Sequence, residues 1–302
     1  MLPTRDILTG IGALPPGLTA GVWEGTEDPP DLDEVEFYVP AYLSRSAVFA
    51  AMARMPRLQV CQTLTAGVDN VVEHLPAGVT LCNARGVHDA STAELAVGLM
   101  LASQRRLPDF VRAQDSGRWE QGESPSLADR RVLIVGYGSI GAAIERRLAG
   151  FEVEVVRVAR SARDGVNGLE DLPALLTGAD VVVVVVPLTD ATRGLVDAAF
   201  LARMPDGALL VNVARGPVVD TGALLAELTA GRLRAALDVT DPEPLPPGHA
   251  LWSAPGLIVT PHVGGYTSAF LPRAVRLVAD QVVRWAAGEP LSNVMVDGQS
   301  AG

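Results

Sequence analysis

The chain has 302 residues, of which 48% are hydrophobic and 5% aromatic, and its formal net charge is −11. This apolar content supports a sizeable core in one or two domains and excludes a largely disordered chain. Even the valine run at residues 181–186 is far shorter than the roughly 20 residues that cross a bilayer, and residues 1–21 lack the features of a secretory signal. Nucleic acid binding needs a basic surface, which the acidic balance disfavours. We therefore expect a cytoplasmic protein with no membrane or nucleic acid partner.

Two cysteines, Cys61 and Cys82, lie in apolar segments and lack the spacing of metal ligands. We interpret both as small core residues rather than as a disulfide pair. The sequence predicts no metal site.

The first 90 residues predict a small, compressed α/β unit. Its candidate strands lie near residues 19–23, 35–39, 58–62 and 80–82, and an amphipathic core helix is expected over residues 47–55. Residues 1–16 are expected to form a loosely held extension.

A capping-box pattern, Ser91 followed three residues later by Glu94, predicts an apolar helix that runs to about residue 106, before Pro108. From residue 131 onward, strands are predicted at 131–135, 153–158, 181–186, 208–213, 234–239 and 257–260, with helical segments between most of them. Continuous apolar strands separated by helices are typical of a parallel sheet covered on both faces. A second amphipathic helix is predicted over residues 268–287 and leads into the run SNVMV.

A glycine-rich segment, GYGSIG at residues 136–141, directly follows the first strand of that series. Glycines at this spacing permit a tight turn, close approach of the backbone to a pyrophosphate and close helix packing, while the helix N-terminus favours an anion. The alternative is an ordinary glycine-rich turn. We predict a dinucleotide site formed by Gly136, Tyr137, Gly138, Ser139, Ile140 and Gly141.

The next predicted strand ends where an acidic residue usually binds the adenosine ribose. This chain has Ala159 there, followed by Arg160, Ser161 and Arg163. Without a carboxylate a 2′-phosphate is not repelled, and guanidinium groups pair with phosphate in a planar, charge-assisted geometry. NADP(H) is therefore the better fit. NAD(H) is kept as the alternative, in which the arginines are solvated loop charges.

Three segments place an arginine, an acid and a histidine just beyond predicted strands: Arg215 in NVARGPVVD, Glu243 in ALDVTDPEPLP and His262 in TPHVGG. Ligands of open parallel sheets bind outside the carboxyl ends of the strands, so we expect these side chains to converge. Arg215 can grip a carboxylate, His262 can exchange a hydroxyl proton near neutral pH, and Glu243 can orient the imidazole.

These segments occur with GVDN at 67–70, NARG at 83–86, VGYGSIG at 135–141 and VPLTDATRGL at 186–195. In their order and spacing, over about residues 58–295, the chain resembles the D-isomer-specific 2-hydroxyacid dehydrogenases, the family of phosphoglycerate dehydrogenase and glyoxylate/hydroxypyruvate reductases. The resemblance implies hydride transfer between a small 2-oxo acid and its D-2-hydroxy acid, with Arg215, Glu243 and His262 as catalytic residues.

The resemblance also implies ligand contacts and an assembly. Arg215, His262 and a backbone loop would bind the substrate, the loop residues being Leu64, Thr65, Ala66 and Gly67. The cofactor would be bordered by Pro187 and Thr189, and its carboxamide would be held by Asp238 and the backbone around Val213. The family further implies a homodimer.

The fold class we predict is α/β with two domains. A Rossmann doubly wound, parallel-sheet nucleotide-binding domain is expected over residues 92–271. A smaller, discontinuous, flavodoxin-like substrate domain is expected from residues 1–91 plus 272–302.

Some interpretations stay open at this point. Asp220 is interpreted as the N-cap of the following helix, and His88 as structural, with substrate contact as its alternative. Tyr266 either shapes the pocket or caps a helix. Two other functions are kept: a specialised biosynthetic 2-hydroxyacid dehydrogenase with an unusual substrate, and a nucleotide-sensing protein like the co-repressors that resemble this family.

Overall fold

The computed structural model describes residues 1–26, 32–44 and 46–298. They form two compact units, the first made of the described residues up to 88 and from 267 to 298, and the second of residues 89–266. The helices are α1 (Arg5–Ile11), α2 (Ser46–Ala50), α3 (Asp89–Gln104), α4 (Leu107–Asp115), α5 (Ser139–Leu148), α6 (Leu172–Leu175), α7 (Ala198–Arg203), α8 (Thr221–Thr229) and α9 (Phe270–Ala287). The strands are β1 (Phe37–Tyr38), β2 (Val60–Gln62), β3 (Thr80–Cys82), β4 (Arg131–Val135), β5 (Glu154–Val158), β6 (Val181–Val184), β7 (Leu209–Asn212), β8 (Arg234–Leu237), β9 (Leu257–Val259) and β10 (Val294–Val296).

The second unit is built on a six-stranded parallel sheet in the order β5-β4-β6-β7-β8-β9. Along β6, Val182 and Val184 pack into one apolar layer and Val181 and Val183 into another. Both faces of the strand are therefore buried, which accounts for its uninterrupted valines. The strand order changes direction between β4 and β6, which places a ligand-binding crevice at their carboxyl ends. The predicted doubly wound fold is confirmed.

The first unit carries a mixed sheet in the order β1-β2-β3-β10, in which β10 runs antiparallel to β3. Two fully buried glutamines tie the C-terminal segment to this sheet: the Gln281 amide nitrogen donates to Gln62 Oε1 (2.6 Å) and to the Ser292 carbonyl oxygen (2.9 Å). The N- and C-terminal segments therefore build one discontinuous unit, as predicted.

The N-terminus differs from the prediction. Residues 1–16 are not a loose extension, because α1 packs on α9 and buries Leu2 and Ile7 in a shared apolar cluster. The predicted strand at 19–23 is also wrong. This segment forms only a single bridge, Leu2 with Val22, and so pairs with the start of the chain instead of joining the sheet.

The capping box proposed at Ser91 is wrong as well. Helix α3 begins two residues earlier, at Asp89, and Ser91 is buried inside it. Helix α3 ends at Gln104, close to its predicted end before Pro108. Pro108 itself lies in the first turn of α4, where its missing N–H costs no hydrogen bond. The Asp220 prediction is confirmed, since its carboxylate accepts from the Ala223 amide at the start of α8 (2.9 Å).

Cys61 and Cys82 are both buried and free, as predicted. Burial raises the pKa of the Cys61 thiol to about 12 and that of Cys82 to about 11. Both are therefore inert core residues at neutral pH. Within the described part of the chain, no helix is long and apolar enough to cross a bilayer.

Candidate active site

The three glycines of the predicted dinucleotide loop differ in what a side chain would meet at each position. Gly136 adopts φ +108°, and a Cβ there would lie 2.6 Å from the Val185 carbonyl oxygen. A Cβ on Gly141 would lie 2.7 Å from the Gly136 carbonyl oxygen, so the first turn of α5 can approach the loop closely. Gly138 instead faces open space: apart from its chain neighbours, no described residue has an atom within 4 Å of an added Cβ. That open space above the N-terminus of α5 fits a pyrophosphate.

Tyr137 is held in the loop by charged neighbours. Its hydroxyl donates to Glu145, which also accepts from the Arg157 guanidinium. The Arg157 hydrogen bond, assisted by that of Tyr137, outweighs the effect of burial and lowers the pKa of the Glu145 carboxyl. Arg163 donates to the Tyr137 carbonyl oxygen (2.7 Å) and lies 6.0 Å from the ring centroid. Arg163 therefore braces the glycine-rich loop.

Arg160 and Ser161 are exposed just beyond the end of β5. Among the described residues, Arg160 has no hydrogen-bond or ion-pair partner, so its guanidinium is available to a ligand. An available cation beside a hydroxyl fits the 2′-phosphate of an NADP-type cofactor.

The loop after β6 carries Pro187 and Thr189. A buried residue, Thr192, organises it: its hydroxyl donates to the Pro187 carbonyl oxygen (2.6 Å) and accepts from the Thr189 amide (2.9 Å). Thr192 was not among the predicted residues. The Val213 side chain is buried in the core, which leaves its backbone as the part that a ligand can meet.

Arg215 lies on a tight turn after β7. Asn212, fully buried, spans this turn, because its Oδ1 accepts from the Ala214 amide (3.0 Å) and its Nδ2 donates to the Arg215 carbonyl oxygen (3.0 Å). The next residue must be glycine, since a Cβ on Gly216 would lie 1.9 Å from the Thr240 carbonyl oxygen. The segments carrying Arg215 and Glu243 are thus packed against each other.

His262 and Glu243 form the pair predicted from sequence, with Nδ1 and Oε1 2.5 Å apart. A carboxylate at Nδ1 requires a proton on that nitrogen, so Nε2 is the atom that can exchange a proton with substrate. Burial alone would raise the pKa of the Glu243 carboxyl, but the hydrogen bond and charge of His262, a backbone hydrogen bond at Thr240 and the charge of Arg215 lower it overall. Glu243 is therefore a carboxylate at neutral pH, and the other two predicted catalytic residues, His262 and Arg215, both act on it.

Asp238 has a structural role that sequence reasoning missed. It is 4% exposed, and its carboxylate accepts from the Thr260 hydroxyl (2.7 Å) and from the amides of Val263 and Gly264 (2.9 Å each). Its own carbonyl oxygen accepts from the His262 amide (2.8 Å). Asp238 thus holds the turn that carries His262.

The predicted substrate loop, residues 64–67, lies in the first unit after β2. Its carbonyl oxygens are all hydrogen-bonded, whereas its amides donate to none of the described residues. Unpaired amides at a turn are suited to an anion.

Three comparisons identify the family. Residues 97–264 match the model of the D-isomer specific 2-hydroxyacid dehydrogenase NAD-binding domain. The chain is 34% identical over 253 residues to a glyoxylate reductase of Thermofilum pendens, covering 79% of this chain and 75% of that one. It is also 34% identical over 267 residues to glyoxylate/hydroxypyruvate reductase B of Salmonella typhi, covering 84% and 82%.

Among solved structures, the fold matches a D-isomer specific 2-hydroxyacid dehydrogenase of Xanthobacter autotrophicus Py2, in complex with NADPH and MES. The TM-score is 0.83 at 35% identity, covering 99% of this chain and 96% of that one. The chain therefore belongs to the D-isomer-specific 2-hydroxyacid dehydrogenases, a family of NAD(P)-dependent oxidoreductases.

Proposed function

We propose that the protein interconverts a small 2-oxo acid, of the glyoxylate or hydroxypyruvate class, and its D-2-hydroxy acid, with NADP(H) as the preferred cofactor. The observation that carries this proposal is the His262–Glu243 pair with the charge of Arg215 acting on it. These residues supply a proton donor, the group that orients it and a cation, which carbonyl reduction requires.

When bound, NADPH supplies the hydride for the keto carbon. His262, protonated, delivers the Nε2 proton to the keto oxygen, while Glu243 holds the ring through Nδ1. Arg215 orients the acid and stabilises the negative charge that develops on that oxygen. In the oxidative direction His262 takes the hydroxyl proton instead.

For the remaining contacts we propose roles that follow the sequence prediction. The unpaired amides of residues 64–67 bind the substrate carboxylate, and Pro187, Thr189 and the Val213 backbone border the cofactor. Asp238 is proposed mainly as the support of the His262 turn, because both of its carboxylate oxygens already accept hydrogen bonds.

The preference for NADP(H) is proposed to rest on Arg160, with Ser161 beside it. A complex with NADPH in the Xanthobacter relative supports this cofactor. Loss of one charge-assisted hydrogen bond predicts that Arg160→Ala lowers kcat/KM with NADPH by about 10- to 100-fold. Activity with NADH should be unchanged. Arg163→Ala is expected to impair both cofactors, because Arg163 braces the shared loop.

The matched control is Arg203→Ala, which removes an exposed arginine at the C-terminus of α7. This helix leads into β7, so Arg203 precedes the amino end of that strand, whereas Arg160 follows the carboxyl end of β5. The kcat/KM of Arg203→Ala should equal that of the wild type with both NADPH and NADH. A wild-type enzyme that prefers NADH would refute the proposed selectivity.

The test of the function is a screen of 2-oxo acids with NADPH and NADH. We expect turnover of glyoxylate or hydroxypyruvate to the D-hydroxy acid. Turnover of only a larger or otherwise unusual 2-oxo acid would instead favour the specialised biosynthetic enzyme. Partner binding that depends on NAD(P)(H), with no turnover of any 2-oxo acid, would favour the co-repressor-like function and contradict the proposal.

We also propose a cytoplasmic homodimer. Leu107 and Val111 on α4, and Trp119 after it, are 48%, 56% and 90% exposed. Leu107 and Val111 are four residues apart and so share one face of α4. Large exposed apolar side chains of this kind are typical of protein interfaces. Light scattering should give twice the chain mass of 31.6 kDa, and Trp119→Glu should lower it. A monomeric wild type would contradict the dimer.

A further inference from the structure

The carbonyl oxygens of the loop at residues 64–67 are all anchored within the first unit. Leu64 O accepts from His88 Nε2 (2.7 Å), and Thr65 O accepts from the Ala84 amide (2.9 Å). Ala66 O accepts from Asn83 Nδ2 (2.7 Å), and Gly67 O accepts from the Thr65 hydroxyl (2.7 Å). Each peptide plane at these carbonyls is therefore fixed, and with it the direction of the following amide. Hydrogen bonds to these carbonyl oxygens therefore fix the orientation of the unpaired amides of residues 65–67.

His88 is the donor that reaches this loop from an aromatic cluster. Its side chain is buried, with the residue 5% exposed, and its ring stacks on Tyr42 (centroids 5.3 Å apart) and on Phe270 (5.5 Å), which themselves lie 4.4 Å apart. A carbonyl oxygen can only accept, so Nε2 carries a proton in either charge state. The two stacked rings restrict the imidazole, so its hydrogen bond restrains Leu64.

We propose that His88 is a positioning residue of the substrate-carboxylate site: it holds the Leu64 peptide so that the following amides face the anion. This inference rests on the proposed role of residues 64–67. His88 acts through the loop, whereas His262 acts on the reacting atoms. A supporting residue of this kind sets substrate affinity because a displaced amide loses its hydrogen bond to the carboxylate.

Two variants separate the hydrogen bond from the ring. His88→Phe keeps an aromatic ring and removes the donor, whereas His88→Gln keeps an N–H donor and removes the imidazole. We expect His88→Phe to raise KM for glyoxylate or hydroxypyruvate about tenfold, since one hydrogen bond to a buried carbonyl is lost. The inhibition constant of oxamate should rise equally. We expect kcat and the NADPH dissociation constant to change by less than about threefold, and His88→Gln to restore KM.

His74→Phe is the matched control. His74 is another histidine of the first unit that stacks on an aromatic ring, Phe49 (6.4 Å). Among the described residues its Nε2 has no hydrogen-bond partner and lies 3.5 Å from Glu73 Oε1. Its KM should equal that of the wild type. Wild-type KM and oxamate inhibition in His88→Phe would overturn the inference, as would equal impairment of His88→Phe and His88→Gln.

A second readout does not depend on turnover. The amide ¹H–¹⁵N resonances of residues 65–68 should shift in His88→Phe, and should return towards their wild-type positions in His88→Gln. Unchanged resonances in His88→Phe would contradict the role of His88 even if the wild type reduced no 2-oxo acid. Lack of turnover in the wild type would count against the proposed function alone.

Discussion

Asp238→Asn tests how the turn that carries His262 is held. Asparagine keeps one acceptor oxygen, which can serve the Thr260 hydroxyl and the Val263 amide as neutral hydrogen bonds. Its NH₂ group would then face the buried Gly264 amide, which now bonds to Oδ2 at 2.9 Å. An unsatisfied buried amide costs about 1–3 kcal/mol, and two weakened charge-assisted bonds add to this. The free energy of unfolding should therefore fall by about 2–4 kcal/mol.

The assay is urea unfolding of the cofactor-free protein, with kcat/KM measured in parallel. Asp115→Asn, at the exposed end of α4, is the control and should change the unfolding free energy by less than about 0.5 kcal/mol. Activity of Asp238→Asn should also fall, because the His262 turn loosens. Unchanged stability with a selective loss of cofactor affinity would refute this reasoning and favour a direct contact of Asp238 with the nicotinamide.

Two further predictions concern the glycine-rich loop. Gly138→Ala should leave the unfolding free energy within about 0.5 kcal/mol of wild type, since a Cβ there meets open space. It should nevertheless raise the dissociation constants of NADPH and NADH at least about tenfold, because the Cβ fills the pyrophosphate site. Gly150→Ala is the control, and equal cofactor affinity in the two variants would contradict the proposed site. Glu145→Gln should destabilise the protein mainly above the ordinary carboxyl pKa of 4.5, because the depressed pKa of Glu145 contributes stability that is lost as pH falls through it. Urea unfolding at neutral pH and at about pH 3.5 measures this, and an equal destabilisation at both would be inconsistent with the ion pair to Arg157.

The sequence predicts site segments well where a local motif follows a strand of the parallel sheet. GYGSIG, Arg215, Glu243 and His262 lie in the loops that follow β4, β7, β8 and β9, and parallel strands end at one edge. The sequence therefore predicted that Glu243 and His262 would meet, as they do. The structural interpretation of His88 also agrees with its burial.

Sequence reasoning failed where a role depends on contacts between distant segments. The structural role of Asp238 could not be predicted, because its link to residues 260–264 is made by hydrogen bonds across a turn that no spacing indicates. The packing of residues 1–16 could not be predicted, because their apolar partners, Ala274 and Val278, lie more than 250 residues away along the chain. The role of Thr192 could not be predicted, because a threonine in a loop has no sequence signature of its own.

The most direct test of the account is the activity of His262→Asn with glyoxylate and hydroxypyruvate in the presence of NADPH. His249→Asn serves as its control in the same unit, since the one side-chain hydrogen bond of His249 with a described residue caps a short turn through Nδ1. The account predicts that His262→Asn lowers kcat/KM by about 10²- to 10⁴-fold, the usual contribution of a general acid, and that His249→Asn has no such effect. Near-wild-type kcat/KM in His262→Asn would contradict it.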